Sequence, residues 1–159
     1  MFKKIVVGTD FSEPAEMAWR AATELARRLS AELVVIHVEE PLPAYAFTEG
    51  ALPMLPRLQD EVRTWAEGEL ATRAEHARAE GLSISTAVLI GTPADALVEA
   101  AQSQGADLIV VGTHGRTGLE RVIIGSVAER VVRAAHCPVL TVKSVATAQE
   151  PAKKPKVAA

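Results

Sequence analysis

Residues 108–126 of the 159-residue chain, LIVVGTHGRTGLERVIIGS, decide the predicted fold. The stretch begins with four aliphatic residues, Leu108–Val111, a pattern typical of a strand buried on both faces of a parallel sheet. Glycines follow at positions 112, 115 and 118, and Gly125-Ser126 then opens a helical segment. A buried strand, a glycine-rich connection and a helix, in that order, indicate an α/β protein.

The same alternation of strand and helix extends over the body of the chain. Because right-handed crossovers place helices on both faces of such a sheet, we predict a Rossmann-like, doubly wound, five-stranded parallel sheet. Sheets of this kind bind ligands beyond the carboxyl ends of their strands, where the winding direction switches. The predicted strands are residues 5–7, 33–38, 83–90, 108–111 and 139–142. Four helices are predicted: the first follows Ser12, the second covers 58–80, the third begins at Thr92-Pro93, and the fourth covers 125–135.

Local signals refine this interpretation. Ser12 is the expected N-cap of the first helix, and Gly81 is expected to end the second. The proline-rich segment 39–56 predicts an irregular excursion. Trp19 and Trp65 lie on the apolar stripes of their helices and are predicted to be core residues.

Composition excludes several classes of protein. With 48% hydrophobic and 23% charged residues the chain is not disordered, and no apolar run reaches the roughly 18 residues of a bilayer span. A net charge of −3 argues against nucleic-acid binding. The lone Cys137 and the lack of a secretion signal indicate the cytoplasm. We assign residues 1–143 to one domain and the Ala-, Lys- and Pro-rich residues 144–159 to a disordered tail.

The glycine-rich connection predicts an anion site. Glycines let a ligand approach backbone N–H groups, and the helix that opens at Ser126 presents unpaired N–H groups and a positive dipole end. Arg116 adds charge and His114 adds a donor. Each has a plainer interpretation, since His114 and Arg116 are loop residues and Ser126 with Glu129 matches a capping box. A P-loop is excluded because no lysine lies between Lys4 and Lys143.

The spacing Gly112-x2-Gly115-x9-Gly125-Ser126 resembles the nucleotide motif of the ATP-binding universal stress proteins. Further segments of the chain resemble that family in the same order, over about residues 3 to 143. These are Lys4–Ser12, Gly91-Thr92-Pro93, Gly105–Gly112, Gly125–Glu129 and Cys137–Leu140.

The resemblance implies the strand order 3-2-1-4-5, and so a site shared by the loops Thr9–Ser12 and Gly112–Gly118. Asp10 and the Val38 backbone would meet the adenosine end, although Asp10 is also a candidate for shaping its own turn. Magnesium or manganese would accompany the nucleotide; the histidines lack metal-ligand spacing, and we expect no metal ligands from the chain. The full set of predicted cofactor-binding residues is Thr9, Asp10, Val38, Gly112, Thr113, His114, Gly115, Arg116, Gly125, Ser126 and Val127.

The resulting hypothesis is an ATP-binding stress-response protein with little or no turnover, whose nucleotide state modulates binding to a protein partner. No catalytic residue is predicted, because the chain offers no dedicated general base. The alternatives are a slow ATPase or phosphotransferase, and a nucleotide-free dimeric interaction protein. The apolar last strand, 139–142, predicts a homodimer, because such an edge is normally paired or covered.

Overall fold

A computed structural model describes residues 2–41, 55–113 and 125–143 of the chain. Four helices and five strands alternate strictly within this part. The strands are β1 (Lys4–Thr9), β2 (Glu32–Glu39), β3 (Ile84–Ile90), β4 (Leu108–Gly112) and β5 (Val139–Val142), and the helices are α1 (Glu13–Leu29), α2 (Leu55–Ala79), α3 (Pro93–Ser103) and α4 (Ser126–Ala134).

The five strands form one parallel sheet in the order β3-β2-β1-β4-β5, which confirms the predicted fold class and strand order. Strand β1 is central, with Val6 opposite Val34 of β2 on one side and Ile109 of β4 on the other. The chain therefore winds outward from β1 in both directions. The carboxyl ends of β1 and β4 become neighbours, as the switch-point rule requires.

Alternate residues of each strand bury into two separate core layers. Ile5 and Val7 face α1 and α2 on one side of the sheet, whereas Val6 faces α3 and α4 on the other. Alanines dominate the helix faces that contact the sheet, such as Ala18 and Ala22 of α1, which are fully buried. Small side chains let the helices approach the sheet closely and leave bulky aliphatic residues to the strands.

The local signals are largely confirmed. The Ser12 hydroxyl accepts the Ala15 N–H at the start of α1, and Gly81 ends α2 with a left-handed φ of +86°. Two predictions about α2 differ from the structure. The helix begins at Leu55 rather than at residue 58, and Trp65 lies on its surface. Trp65 is 49% exposed, so its prediction as a core residue is wrong. The apolar stripe of α2 is buried only from Ala66 onward.

Asp107 ties the amino-terminal strand to the loop before β4. Its Oδ2 accepts the backbone N–H groups of Lys3 and Lys4 at 2.7 and 2.9 Å. These two hydrogen bonds favour the ionised carboxylate and lower the pKa of Asp107 below its ordinary value of 3.8. The carboxylate therefore stabilises the native state mainly when it is charged.

We expect Asp107→Asn to lower the free energy of unfolding at pH 6 and to matter less in acid. Because the folded-state pKa is depressed, the charge-dependent stabilisation is present above the ordinary pKa of 3.8 and is lost as the pH falls through the lower folded value. Urea unfolding of both proteins at pH 6 and near pH 3 measures the difference. An equal stability difference at the two pH values would contradict this role of the charge.

Candidate functional site

A cavity of about 730 Å³ opens at the carboxyl ends of β1, β2 and β4, at the switch point of the sheet. Its volume is within the range of small-molecule sites. The β1–α1 loop, the end of β2, the start of α4 and the first turns of α2 surround it. Eight of the predicted cofactor-binding residues line this one cavity: Thr9, Asp10, Val38, Gly112, Thr113, Gly125, Ser126 and Val127. The remaining three, His114, Gly115 and Arg116, lie outside the described residues.

The β1–α1 loop is shaped by its own polar side chains. Thr9 Oγ1 accepts the Phe11 N–H at 3.1 Å, and Asp10 Oδ1 accepts both the N–H and the hydroxyl of Ser12. Phe11 has a φ of +61°, a left-handed conformation that is uncommon outside glycine. Asp10 thus shapes the turn, as its plainer interpretation held, while also lining the cavity.

Near the end of β2, His37 connects β2 to β1 at the cavity wall. His37 is buried, and its Nδ1 is 2.8 Å from the Thr9 carbonyl oxygen. Since a carbonyl only accepts, Nδ1 carries the proton and donates it to this bond. His37 is therefore a hydrogen-bonded core residue that also contributes to the cavity surface.

Glu39, the last residue of β2, is a charged part of the same wall. Its Oε2 is 3.6 Å from Arg63 Nε of α2, and only 12% of its side chain is exposed. Its other oxygen, Oε1, is buried and has no hydrogen-bond partner among the described residues. Because Arg63 is a residue of α2, this ion pair links α2 to the end of β2. Arg63 also lines the cavity.

The opposite wall is the amino terminus of α4. The Gly125 N–H donates to the Thr113 carbonyl, and the Glu129 N–H donates to the Gly125 carbonyl at 2.9 Å. Gly125 is therefore the N-cap and Ser126 the first helical residue, so the predicted capping box from Ser126 to Glu129 is wrong. Glu129 instead pairs with Arg133 at 2.7 Å. The N–H groups of the first turn have no acceptor within the helix, and Ser126 and Val127 line the cavity.

Gly112 has a structural reason to be glycine. A Cβ at this position would lie 2.7 Å from the carbonyl carbon and oxygen of Pro14 and 3.1 Å from the Ala15 nitrogen. The end of β4 therefore lies directly against the first turn of α1. The sequence interpretation assigned this glycine to ligand approach, whereas helix packing already requires it.

Sequence reasoning missed the contribution of α2 to the cavity. Val62, Arg63 and Trp65 line it, and Trp65 packs against Phe11 with ring centroids 4.9 Å apart at 67°. Phe11 also contacts the His37 ring at 4.8 Å. The available signal was the length of the helix, because α2 at 25 residues is longer than the strands it covers. Its first turns extend past the sheet, and their apolar side chains face the cavity instead of the core.

The two walls differ in charge. The β1, β2 and α2 side is acidic on balance, because its lining has one guanidinium, that of Arg63, and the four carboxylates of Asp10, Glu39, Glu40 and Asp60. The α4 side presents backbone N–H groups and the positive end of the helix dipole. An elongated ligand with an anionic end would be oriented by this difference, with the anion toward α4.

Within 2–41, 55–113 and 125–143, no cluster of three or more His, Cys, Asp or Glu side chains is arranged to hold a metal ion. None of the helices described there combines the length and apolar character needed to cross a membrane.

The sheet and its switch-point cavity define a Rossmann-like α/β protein with a small-molecule site between acidic and helix-dipole walls. Residues 1–143 match the model of the universal stress protein family, and the chain belongs to that family. It is 42% identical over 146 residues to a universal stress protein of Methanocaldococcus jannaschii, a match that covers 90% of this chain and 83% of the relative.

Solved structures agree with the family and the fold. The universal stress protein UspA from Lactobacillus plantarum superimposes with a TM-score of 0.79 at 26% identity, covering 89% of this chain and 97% of that one. A universal stress protein from Archaeoglobus fulgidus, solved in complex with dAMP, has a TM-score of 0.63 at 29% identity and covers 89% of this chain and 98% of that one. At least one member of the family thus binds an adenine nucleotide.

Proposed function

We propose that this universal stress protein binds ATP at the switch-point cavity and that its nucleotide state modulates binding to a protein partner. The observation that carries the proposal is the cavity of about 730 Å³ bounded by the β1–α1 loop and the amino terminus of α4. Helix amino termini favour phosphate through their unpaired N–H groups and dipole. The dAMP complex of the Archaeoglobus fulgidus relative supports an adenine nucleotide as the ligand.

Charge sets the orientation of the nucleotide in this proposal. Glu39 is paired with Arg63, but the carboxylates of Asp10, Glu40 and Asp60 repel phosphates. The phosphates therefore lie toward Gly125, Ser126 and Val127. The adenosine end then lies toward Asp10 and the Val38 backbone, where acceptors and apolar side chains suit a ribose and a base. Magnesium or manganese, bound with the triphosphate, would neutralise part of its charge.

We expect little or no turnover of the bound nucleotide. Phosphoryl transfer requires a group that positions the attacking nucleophile and charge that stabilises the transition state. Asp10, a carboxylate that lines the cavity, is a candidate for positioning the nucleophile, but it already accepts two hydrogen bonds from Ser12 within its own turn. That arrangement favours a binding protein over the alternative of a slow ATPase or phosphotransferase.

Mass spectrometry of the nucleotide that copurifies with the protein tests the proposal. Protein purified without added nucleotide is denatured, and the released small molecules are identified and quantified against the protein. Bound ATP in a substantial fraction of the molecules supports the proposed function. ADP alone would favour the enzyme, and the lack of any nucleotide together with failure to load ATP would favour the nucleotide-free interaction protein.

We further propose that the protein forms a homodimer through β5. Within the described residues β5 pairs only with β4, and Leu140 is 36% exposed. The Ile109 N–H donates to the Pro138 carbonyl and the Thr113 N–H to the Val142 carbonyl. The backbone N–H and C=O groups of successive residues point to opposite edges of a strand. Those of Leu140 therefore point toward β4, and the N–H groups of Val139 and Thr141 point to the open edge.

Thr141→Pro should therefore dissociate the dimer while leaving the β4–β5 ladder intact, since proline removes an N–H that points away from β4. Light scattering at tens of micromolar protein measures the mass of both proteins. We expect a dimer for the wild type and a monomer for the variant. A monomeric wild type would contradict the proposed dimer, and a dimeric variant would place the interface elsewhere.

A further inference from the structure

We infer that Trp65 of α2 is the residue on which the nucleobase stacks; this inference rests on the proposed function. Trp65 lines the cavity and is 49% exposed, although it is a large aromatic residue on the apolar stripe of its helix. Val62, one turn earlier, also lines the cavity and is 45% exposed. The two side chains form an apolar wall on the side of the cavity from which the carboxylates repel phosphate.

The indole is held in place before any ligand arrives. Phe11 contacts it in an edge-to-face arrangement at 4.9 Å, and the Phe11 ring itself packs on His37 at 4.8 Å. The Arg73 guanidinium lies 5.6 Å from the centroid of the Phe11 ring. This row of rings connects the β1–α1 loop, β2 and α2, and aromatic pairs of such geometry add stabilisation beyond the apolar area they bury.

The left-handed conformation of Phe11 in the β1–α1 loop determines where its ring lies. Phe11 adopts its left-handed φ of +61° within the turn fixed by Thr9 and Asp10. That conformation carries a steric cost, and it places the Phe11 ring between His37 and Trp65. The ion pair between Glu39 and Arg63, two residues before Trp65, ties the same part of α2 to the end of β2. Phe11, Glu39 and Arg63 are therefore positioning residues for the Trp65 wall.

A planar base fits this wall for reasons of chemistry. Stacking of a base on an aromatic side chain contributes about 1–3 kcal/mol by alanine substitution, which corresponds to about 5- to 150-fold in affinity. A base placed here also leaves its phosphates directed toward α4. The wall would accordingly determine affinity for the base rather than for the phosphates.

Calorimetric titration of ATP into four proteins tests the inference. We expect Trp65→Ala to weaken ATP binding by about 5- to 150-fold and Trp65→Phe to stay within about fivefold of the wild type, because phenylalanine retains a stacking face. Leu58→Ala is the matched control. Leu58 lies seven residues earlier on the same helix and is similarly exposed at 46%, but it does not line the cavity. Its loss should leave the affinity unchanged.

Indole fluorescence separates stacking from a purely structural role. Trp19 is the only other tryptophan, so an ATP-induced change in emission that is present in the wild type and lost in Trp65→Phe originates at residue 65. We expect such a change. Unaltered affinity in Trp65→Ala, or no change in Trp65 emission at saturating ATP, would overturn the inference while leaving ATP binding in place. A wild type that binds no ATP would overturn both the inference and the proposed function.

Discussion

Ser126→Glu should weaken ATP binding by about 100-fold or more while preserving the fold. The substitution adds a carboxylate at the first position of α4, where the proposed phosphate site lies. Juxtaposed like charges cost several kcal/mol, and each 1.4 kcal/mol is a tenfold loss of affinity. The same carboxylate interacts favourably with the positive end of the helix dipole, so the helix itself is not destabilised. Calorimetric titration with ATP and thermal unfolding without it measure the two effects separately.

Ser126→Gln is the matched control, because glutamine has nearly the size of glutamate without its charge. We expect the glutamine variant to retain most of the ATP affinity that the glutamate variant loses. If Ser126→Glu bound ATP as tightly as the wild type, the phosphates would lie away from α4. Equal losses in both variants would indicate obstruction by size and would contradict the electrostatic explanation.

Gly112→Ala should destabilise the protein by about 1–3 kcal/mol, the usual cost of overpacking. The added methyl group would lie 2.7 Å from the backbone of Pro14, and backbone atoms of a helix start cannot move aside as a flexible side chain can. Urea unfolding in the absence of nucleotide measures the loss. Since Gly112 also lines the cavity, binding is not used as the readout.

The control for this prediction is the same substitution at Gly68. Gly68 is in the interior of α2, and a Cβ there meets no atom within 4 Å. Alanine is favoured over glycine in a helix interior by about 1 kcal/mol, so Gly68→Ala should stabilise the protein. Opposite signs for two identical substitutions would show that packing decides the effect. A Gly112→Ala protein as stable as the wild type would contradict the close approach of β4 and α1.

The fold was predictable because each strand has a strong local signal. Runs such as Leu108–Val111 are apolar at every position, and the structure buries all four residues in the sheet. Residues 83–90 alternate only partially between apolar and polar residues, as suits an edge strand, and β3 is the outermost strand on its side. Buried parallel strands connected by helices leave few alternative arrangements, so the pattern was sufficient for the fold class, whereas the strand order came from the family resemblance.

The candidate site was predictable at the ends of strands and at the start of α4, but not on α2. Asp10 and Thr113 come just after β1 and β4, and the topology brings them to one cavity. Trp65 was misassigned because a helical stripe gives the direction of a side chain around the helix but not whether the helix extends past the sheet. The capping box assigned the N-cap to Ser126, whereas the structure has Gly125 as the N-cap and Ser126 as the first helical residue. Both residue types are acceptable N-caps, and only backbone geometry distinguishes them.

Calorimetric titration of ATP with magnesium into the nucleotide-free wild-type protein tests the central claim most directly. We expect saturable binding of one ATP per chain with a dissociation constant between low micromolar and submillimolar, because a backbone cradle without a P-loop lysine compensates phosphate charge only moderately. Undetectable binding at millimolar ATP, in protein shown to be folded, would contradict the assignment of this cavity as a nucleotide site.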